Sequence, residues 1–336
     1  MAQQPKECDL LIVGGGPAGL SAAINGASEG LNVMLLDSGP EPGGQASKSS
    51  LIENYPGFPD GISGGELIGK FLSQANKFKT QIVCPQAAIG IQTDGDRRLV
   101  ITDDEELISA RAVLIAAGLS YRRLAAPGIG PLMGRGVLYG APTTNPELLG
   151  ACTVCIVGGA NSAGQAAMHL SSNPNVQVKM LVRRPIKDQM SQYLVDRVEA
   201  CESIEVIEGV EVREVVGKAK LETVVLNHIG KDETSEIAAN HLFIFIGASP
   251  KTMWLNGSVA LDERKFILTG NKIPTERWTL ERPPLYFETS MPGVFAAGDV
   301  RLGSTKRITG AAGEGSAALQ ECHELFRLQA AAAAEK

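Results

Sequence analysis

One pattern suited to holding a phosphate occurs twice in the sequence. Leu10–Ala23 reads LLIVGGGPAGLSAA and Val154–Ala167 reads VCIVGGANSAGQAA. Each is an apolar run fit for a buried parallel strand, then a glycine turn, then small residues that let a helix lie close on the sheet. In the first copy Gly14, Gly16 and Gly19 make GxGxxG. Gly14 permits the tight turn, Gly16 admits a pyrophosphate to the backbone and Gly19 lets helix meet strand, while Pro17 and Ala18 open a helix whose first N–H groups favour an anion. Asp37 closes the next strand and can accept from both ribose hydroxyls. The combination reads as a dinucleotide site, and FAD and NAD both stay open because both carry ADP.

The second copy differs. Gly158 and Ala163 hold the first and third positions but Ala160 holds the middle one, which predicts weaker binding rather than none. Gly159 leaves the loop room to adjust, and Asn161 and Ser162 begin the helix. Where Asp37 has its counterpart there is no acid; Arg183 and Arg184 stand there, with Lys187 just after. A guanidinium fork suits a 2'-phosphate, so this turn favours NADP(H) over NAD(H), the alternative being a solvated basic turn.

The six cysteines, Cys8, Cys84, Cys152, Cys155, Cys201 and Cys322, are scattered, which fits a reducing compartment and offers no metal-type cluster. Cys152 and Cys155 spell CTVC, but they fall in or beside a strand. Residues three apart there point to opposite faces, about 10 Å apart along the chain, so they are expected to be core cysteines rather than a dithiol.

These residues need a frame. A chain of 336 residues is long enough for two domains, and 44% hydrophobic with 20% charged residues is a globular composition. A net charge of -6, with both signs mixed, argues against nucleic acid. No apolar run is long enough for a membrane span, and the start, MAQQPKECDL, has no basic and apolar leader, so a cytoplasmic protein is expected. After the first motif come strands at Val33–Leu36, around Ile82 and Val100, and at Val113–Ala117. After the second come a strand at Val178–Val182, a helix at Tyr193–Ala200, strands near Val206 and Val224, and a strand at Leu242–Ile246. Gly293–Ala297 and a helix from Gly310 to Leu328 follow, fading into alanines. The expected fold class is α/β, with two Rossmann-like, three-layer nucleotide-binding domains. Residues 1–121 and 249–330 form the first domain, 122–248 form a second inserted into it, and 331–336 are a frayed tail.

Taken with GGQAS (Gly43–Ser47), IENYPGF (Ile52–Phe58), AAG (Ala116–Gly118), FIGASP (Phe245–Pro250) and TSMPGVFAAGDV (Thr289–Val300), the chain resembles the low-molecular-weight thioredoxin reductase family from about Asp9 to Phe326. The resemblance implies that the first domain holds FAD. Gly44, Gln45 and Asn54 would lie along the flavin, Asp299 after Gly298 would bind the ribityl chain, and Lys306, Arg307 and Ile308 would bring a helix start to the pyrimidine edge. There, backbone N–H groups and a helix dipole stabilise reduced flavin. Ala117, Gly118 and Gly247 fall in the family's cofactor-lining segments.

In that family a Cys-x-x-Cys-Asp follows a segment like GRGVLY, Gly134–Tyr139; here Gly140 and Thr143 take the places of the sulfurs and Thr144 that of the acid. The sequence resembles a branch lacking the dithiol. The implied activity is hydride transfer from NADPH to FAD N5, then onward to an acceptor other than an internal disulfide: a quinone, an electron-transfer protein or a small oxidised molecule. Tyr139, Thr143 and Thr144 line the vacated space and are the candidate acceptor-side residues. Alternatives are a flavin reduced by ferredoxin or another protein donor, and a non-catalytic flavin redox sensor or interaction module. Disulfide reduction by an unexpected cysteine pair is the least supported. A homodimer is implied by the resemblance alone.

Overall fold

β1 (Lys6–Val13) is buried on both faces from Leu10 to Val13, which is why that stretch, LLIV, is wholly apolar. The computed structural model describes residues 5–49, 52, 54–140 and 146–334. After β1 the chain forms α1 (Pro17–Ser28), β2 (Val33–Leu36), α2 (Gly64–Lys77), β3 (Gln81–Val83) and the strands β4 (Ala88–Asp94), β5 (Arg97–Thr102) and β6 (Leu107–Ile115). The sheet order is β3-β2-β1-β6-β5-β4, parallel from β3 to β6 and antiparallel beyond. Side chains alternate across each strand. Leu10, Ile12, Val33, Leu35 and Leu114 face one core, and Leu11, Val13, Met34, Leu36 and Ile115 face the other.

A short strand, β7 (Leu119–Tyr121), leads into the second unit. There α3 (Ile129–Leu132), β8 (Val137–Tyr139), β9 (Cys152–Val157), α4 (Asn161–Leu170), β10 (Val176–Val182), α5 (Gln192–Glu199) and β11 (Ile204–Glu208) follow. β12 (Val210–Val216), β13 (Thr223–His228) and β14 (Thr234–Ala238) make an antiparallel three-stranded sheet, and β15 (His241–Ile244) completes a parallel sheet of order β11-β10-β9-β15-β8. One face of the parallel sheet packs on α4 and α5 through Val154, Ile156, Ala163 and Leu194; the other face packs on the three-stranded sheet through Cys155, Val157, Val212 and Val224.

β16 (Ala248–Pro250) returns the chain, and β17 (Val294–Ala296) lies parallel to β6. β6 is long enough to serve two neighbours on one edge: Leu107–Ala110 pair with β5 and Val113–Ile115 with β17. The last element, α6 (Ile308–Ala334), packs on α1. Glycine is required there, since a Cβ at Gly315 would stand 2.0 Å from the Ala18 carbonyl oxygen. The helix continues to Ala334, into the segment 331–336 expected above to be a frayed tail, because alanine is the strongest helix former. Two compact units result, one of residues up to 120 with those from 249 on, the other of 121–248.

Candidate functional site: two glycine turns

The first turn links Val13 to α1. Gly14 sits at φ +115, and a Cβ on it would lie 2.4 Å from the Ala116 carbonyl oxygen; a Cβ on Gly19 would lie 1.9 Å from the Gly14 carbonyl oxygen. Both are glycine because protein fills the space. Gly16 is different: its backbone is extended (φ -76, ψ -176) and a Cβ there would meet nothing within 4 Å. Neither strain nor packing calls for glycine, so the open space before Gly16 fits a ligand cradle. No side chain caps α1, and with Pro17 at its first position the N–H groups of Ala18 and Gly19 have no acceptor among the described residues.

Around this turn the predicted residues converge from distant segments. Asp37 accepts from Gly15 N–H through Oδ2 at 2.6 Å and from Gly39 N–H through Oδ1 at 2.7 Å, leaving a further lone pair on each oxygen. Gly43 N–H donates to Gly15 O at 2.7 Å, and Gly44, at φ +59, lies against Gly16. Gln45 and Asn54 are exposed. Ala117 follows β6, and Gly118 takes φ +65.

From the C-terminal segment, Gly298 comes beside α1, where a Cβ would lie 3.0 Å from the Ala18 Cβ. Asp299 caps no helix; burial pushes its carboxyl above the usual range, opposed by Lys306 and by the Ser304 hydroxyl, which donates at 3.4 Å. Lys306 is held at φ +55 with its ammonium 4.6 Å from the Phe266 ring centre, and burial lowers its pKa, with the Arg264 charge adding to the effect. The Arg307 carbonyl accepts from Ala311 N–H at 2.8 Å in the first turn of α6, whose first residue, Ile308, packs against the cluster of Ile52, Ile62 and Leu67.

Two residues here escaped sequence reading. Glu314 accepts from Gly298 N–H at 2.8 Å and forms an ion pair with Arg301 at 2.9 Å, both side chains largely buried. A Glu and an Arg thirteen residues apart carry no motif; only the spacing from GDV to the GEG of α6 places them.

The second turn repeats the first. Gly158 sits at φ +139, with a Cβ position 2.6 Å from the Phe245 carbonyl oxygen, and Ala160 holds the same extended backbone as Gly16 (φ -90, ψ 173) with its methyl exposed. Ser162 is exposed and Ala163 buried. Asn161 is tied to Ser191, donating to its hydroxyl at 2.9 Å and accepting from its N–H at 2.8 Å.

The backbone corrects the placement of the arginines. Gly14 N–H donates to Leu36 O, and its equivalent Gly158 N–H donates to Leu181 O. The residue matching Asp37 is therefore Val182; Arg183 is one further on, because β10 stays paired to β11 through Val182. Arg183 and Arg184 are exposed and make no ion pair among the described residues, whereas Lys187 pairs with Glu199 at 3.2 Å. Gly247 takes φ +100, beside the Arg122 side chain.

Tyr139 ends β8, and its hydroxyl accepts from Leu124 N–H at 2.8 Å. Thr143 and Thr144 lie outside the described residues. Cys152 packs with the α4 and α5 face and Cys155 with the opposite one, so CTVC straddles the sheet; all six thiols are free. Among the described residues no group of acidic, His and Cys side chains could hold a metal, and no helix is long and apolar enough to cross a membrane.

Paired strand, glycine turn and helix units of this kind define a two-domain dinucleotide-binding oxidoreductase. Residues 8–315 match the family model described as pyridine nucleotide-disulphide oxidoreductase, and the chain belongs to that family. It is 32% identical over 330 residues to a thioredoxin reductase of Listeria innocua, covering 96% of this chain and 95% of that one. It is 30% identical over 327 residues to a 34.2 kDa protein in the rubredoxin operon of Clostridium pasteurianum, covering 94% and 96%. The crystal structure of thioredoxin reductase from Streptococcus pyogenes superposes with a TM-score of 0.84 at 31% identity, covering 96% and 99%. The chain is thus an FAD oxidoreductase of thioredoxin reductase type, a class whose cofactors are FAD and NADPH.

Proposed function

We propose that this protein takes reducing equivalents from NADPH through FAD and passes them to an acceptor other than an internal disulfide, a small oxidised molecule or a redox protein. The observation that carries this reading is the state of the thiols. Gly140, at the place of the first family sulfur, has φ +83, a conformation that favours glycine over cysteine. The only Cys-x-x-Cys, at Cys152 and Cys155, is split between two faces of a sheet.

FAD, when bound, accepts a hydride and releases two electrons. The chain's own residues bind and orient. Asp37 would take the adenosine ribose hydroxyls on its spare lone pairs, while Gly16, Ala18 and Gly19 receive the pyrophosphate. Gly44, Gln45, Asn54, Ala117, Gly118 and Asp299 would line the rest of the FAD site, and Lys306, Arg307 and Ile308 would place positive potential beside the flavin ring. In the second unit Gly158 to Ala163 form the NADPH turn, with Arg183 and Arg184 free for the 2'-phosphate, and Gly247 would line the same cofactor's site. Tyr139, with Thr143 and Thr144, is assigned to the acceptor side.

A protein electron donor is the second reading, favoured by the exposed methyl of Ala160. Anaerobic stopped-flow mixing with NADPH separates the two: bleaching of the flavin band supports the proposal, and no bleaching at millimolar NADPH refutes it. An acceptor screen with the reduced protein then identifies the oxidant class, and reoxidation only by a protein disulfide would contradict the acceptor assignment.

A further inference from the structure

At the starting end of the parallel strands β8, β9 and β15, opposite the second glycine turn, lies a cleft of about 390 Å³. Arg135 before β8, Cys152 at the start of β9, Lys220 between β12 and β13, and Asn240 and His241 at the start of β15 line it, and no Asp or Glu does among the described residues. That runs against the balance of the chain, which has 37 acidic residues to 31 Lys and Arg. Backbone hydrogen bonds tie the walls together: Leu221 N–H donates to Arg135 O at 2.8 Å, Leu242 N–H to Gly136 O at 2.7 Å and Asn240 N–H to Thr153 O at 2.9 Å. The His241 ring stacks on the buried Phe243 ring, with centres 6.2 Å apart. The basic tips stay uncommitted, since the Arg135, Lys220 and His241 side chains make no hydrogen bond or ion pair among the described residues. Burial lowers the His241 pKa and the Lys220 charge lowers it further, while burial raises that of the Cys152 thiol, which stays neutral. Gathering bases without an acid is a cost that a bound anion turns into attraction.

We propose that this cleft binds a phosphorylated small molecule, its phosphoryl oxygens held by Arg135, Lys220 and His241. A phosphate monoester dianion presents three acceptor oxygens, one for each of three basic side chains supplied by separate segments. The cleft volume falls in the range of small-ligand sites, so there is room for the organic part of the molecule beside Cys152. The site is separate from the glycine turn: β9 runs from Cys152 to Val157, about 20 Å of extended chain, before Gly158 is reached.

Calorimetric titration of the FAD-loaded protein with inorganic pyrophosphate and with citrate tests this. Pyrophosphate is expected to bind more tightly than citrate, and Arg135→Ala and Lys220→Ala should each weaken it about tenfold. Both residues are exposed, and an unchanged melting temperature establishes that the variants are folded. The double variant Arg183→Ala, Arg184→Ala should bind pyrophosphate as the wild type does, which separates this cleft from the nucleotide turn. Saturating pyrophosphate should also slow iodoacetamide labelling of Cys152, read by mass spectrometry, and leave Cys201 unaffected. No binding at millimolar pyrophosphate, tighter binding of citrate, undiminished affinity in the folded Arg135→Ala and Lys220→Ala proteins, loss of binding in the Arg183, Arg184 double variant, or an unshielded Cys152 would each overturn the proposal.

Discussion

Glu314 holds Arg301 at 2.9 Å while its other oxygen takes the Gly298 N–H at 2.8 Å, so one carboxylate on α6 fixes the turn that carries Asp299. Removing that carboxylate leaves a largely buried guanidinium without its ion-pair partner. Glu314→Ala is expected to cost roughly 3–5 kcal/mol in thermal or urea unfolding and to lower the FAD content of the purified protein, with Glu314→Gln retaining part of both.

Gly14 and Gly16 should respond in opposite ways. Gly14→Ala places a methyl 2.4 Å from a carbonyl oxygen at φ +115 and should lose more than about 2 kcal/mol of stability. Gly16→Ala adds a Cβ that meets no protein atom within 4 Å, so melting without flavin should be unchanged while FAD retention falls. Loss of folding in both would contradict the cradle assignment.

Ala160→Gly opens in the second turn the space that Gly16 leaves in the first. The NADPH dissociation constant, measured by flavin or tryptophan fluorescence, should fall about fivefold, worth roughly 1 kcal/mol. The backbone is already extended at this position, so no refolding of the loop is required.

Thiol labelling orders the cysteines. Burial pushes the Cys8 and Cys155 thiols up to about 12, and raises Cys322 further, so these should resist alkylation at pH 8 until the protein unfolds. Cys201, whose thiolate is favoured by the Ser203 and Ser171 hydroxyls, should react first. Mass spectrometry after timed iodoacetamide treatment reads the order, and the count of free thiols should not change when the flavin is reduced.

Asp299 gives a pH signature. Burial raises its pKa in the folded protein, so the native state binds a proton more tightly than the unfolded chain does. This group therefore lowers stability as pH rises from the ordinary carboxylate range through the raised value. Asp299→Asn should flatten that part of the melting-temperature profile of the flavin-free protein; an unchanged profile would remove Asp299 as its source.

The sequence was most legible where one local rule suffices. Two glycine turns, each between a doubly buried strand and a small-residue helix, place both dinucleotide-binding halves. The antiparallel strands β4, β12 and β14 are not evident in the sequence; in VEVREVV the alternation breaks at the register shift between Val212 and Glu214, which blurs its period of two. The Asp37 counterpart was misplaced by one residue because strand ends depend on pairing: Val182 remains in register with Glu208, which the apolar run alone does not reveal. Glu314 and Arg301 were invisible because their meaning arises only when α6 docks on α1.

The double pairing of β6 sets an order of manufacture. Residues Val113–Ile115 emerge from the ribosome well before Val294–Ala296, their edge partners, and the whole of the inserted unit is synthesised in between. The contiguous 121–248 unit can close as soon as it leaves the tunnel, whereas the first unit must wait with an open sheet edge until β17 is made. A nascent chain arrested near residue 285 should hence shield its middle from protease yet capture no flavin, and truncations from the C-terminal side should expose a sticky, aggregation-prone edge before they damage the inserted unit.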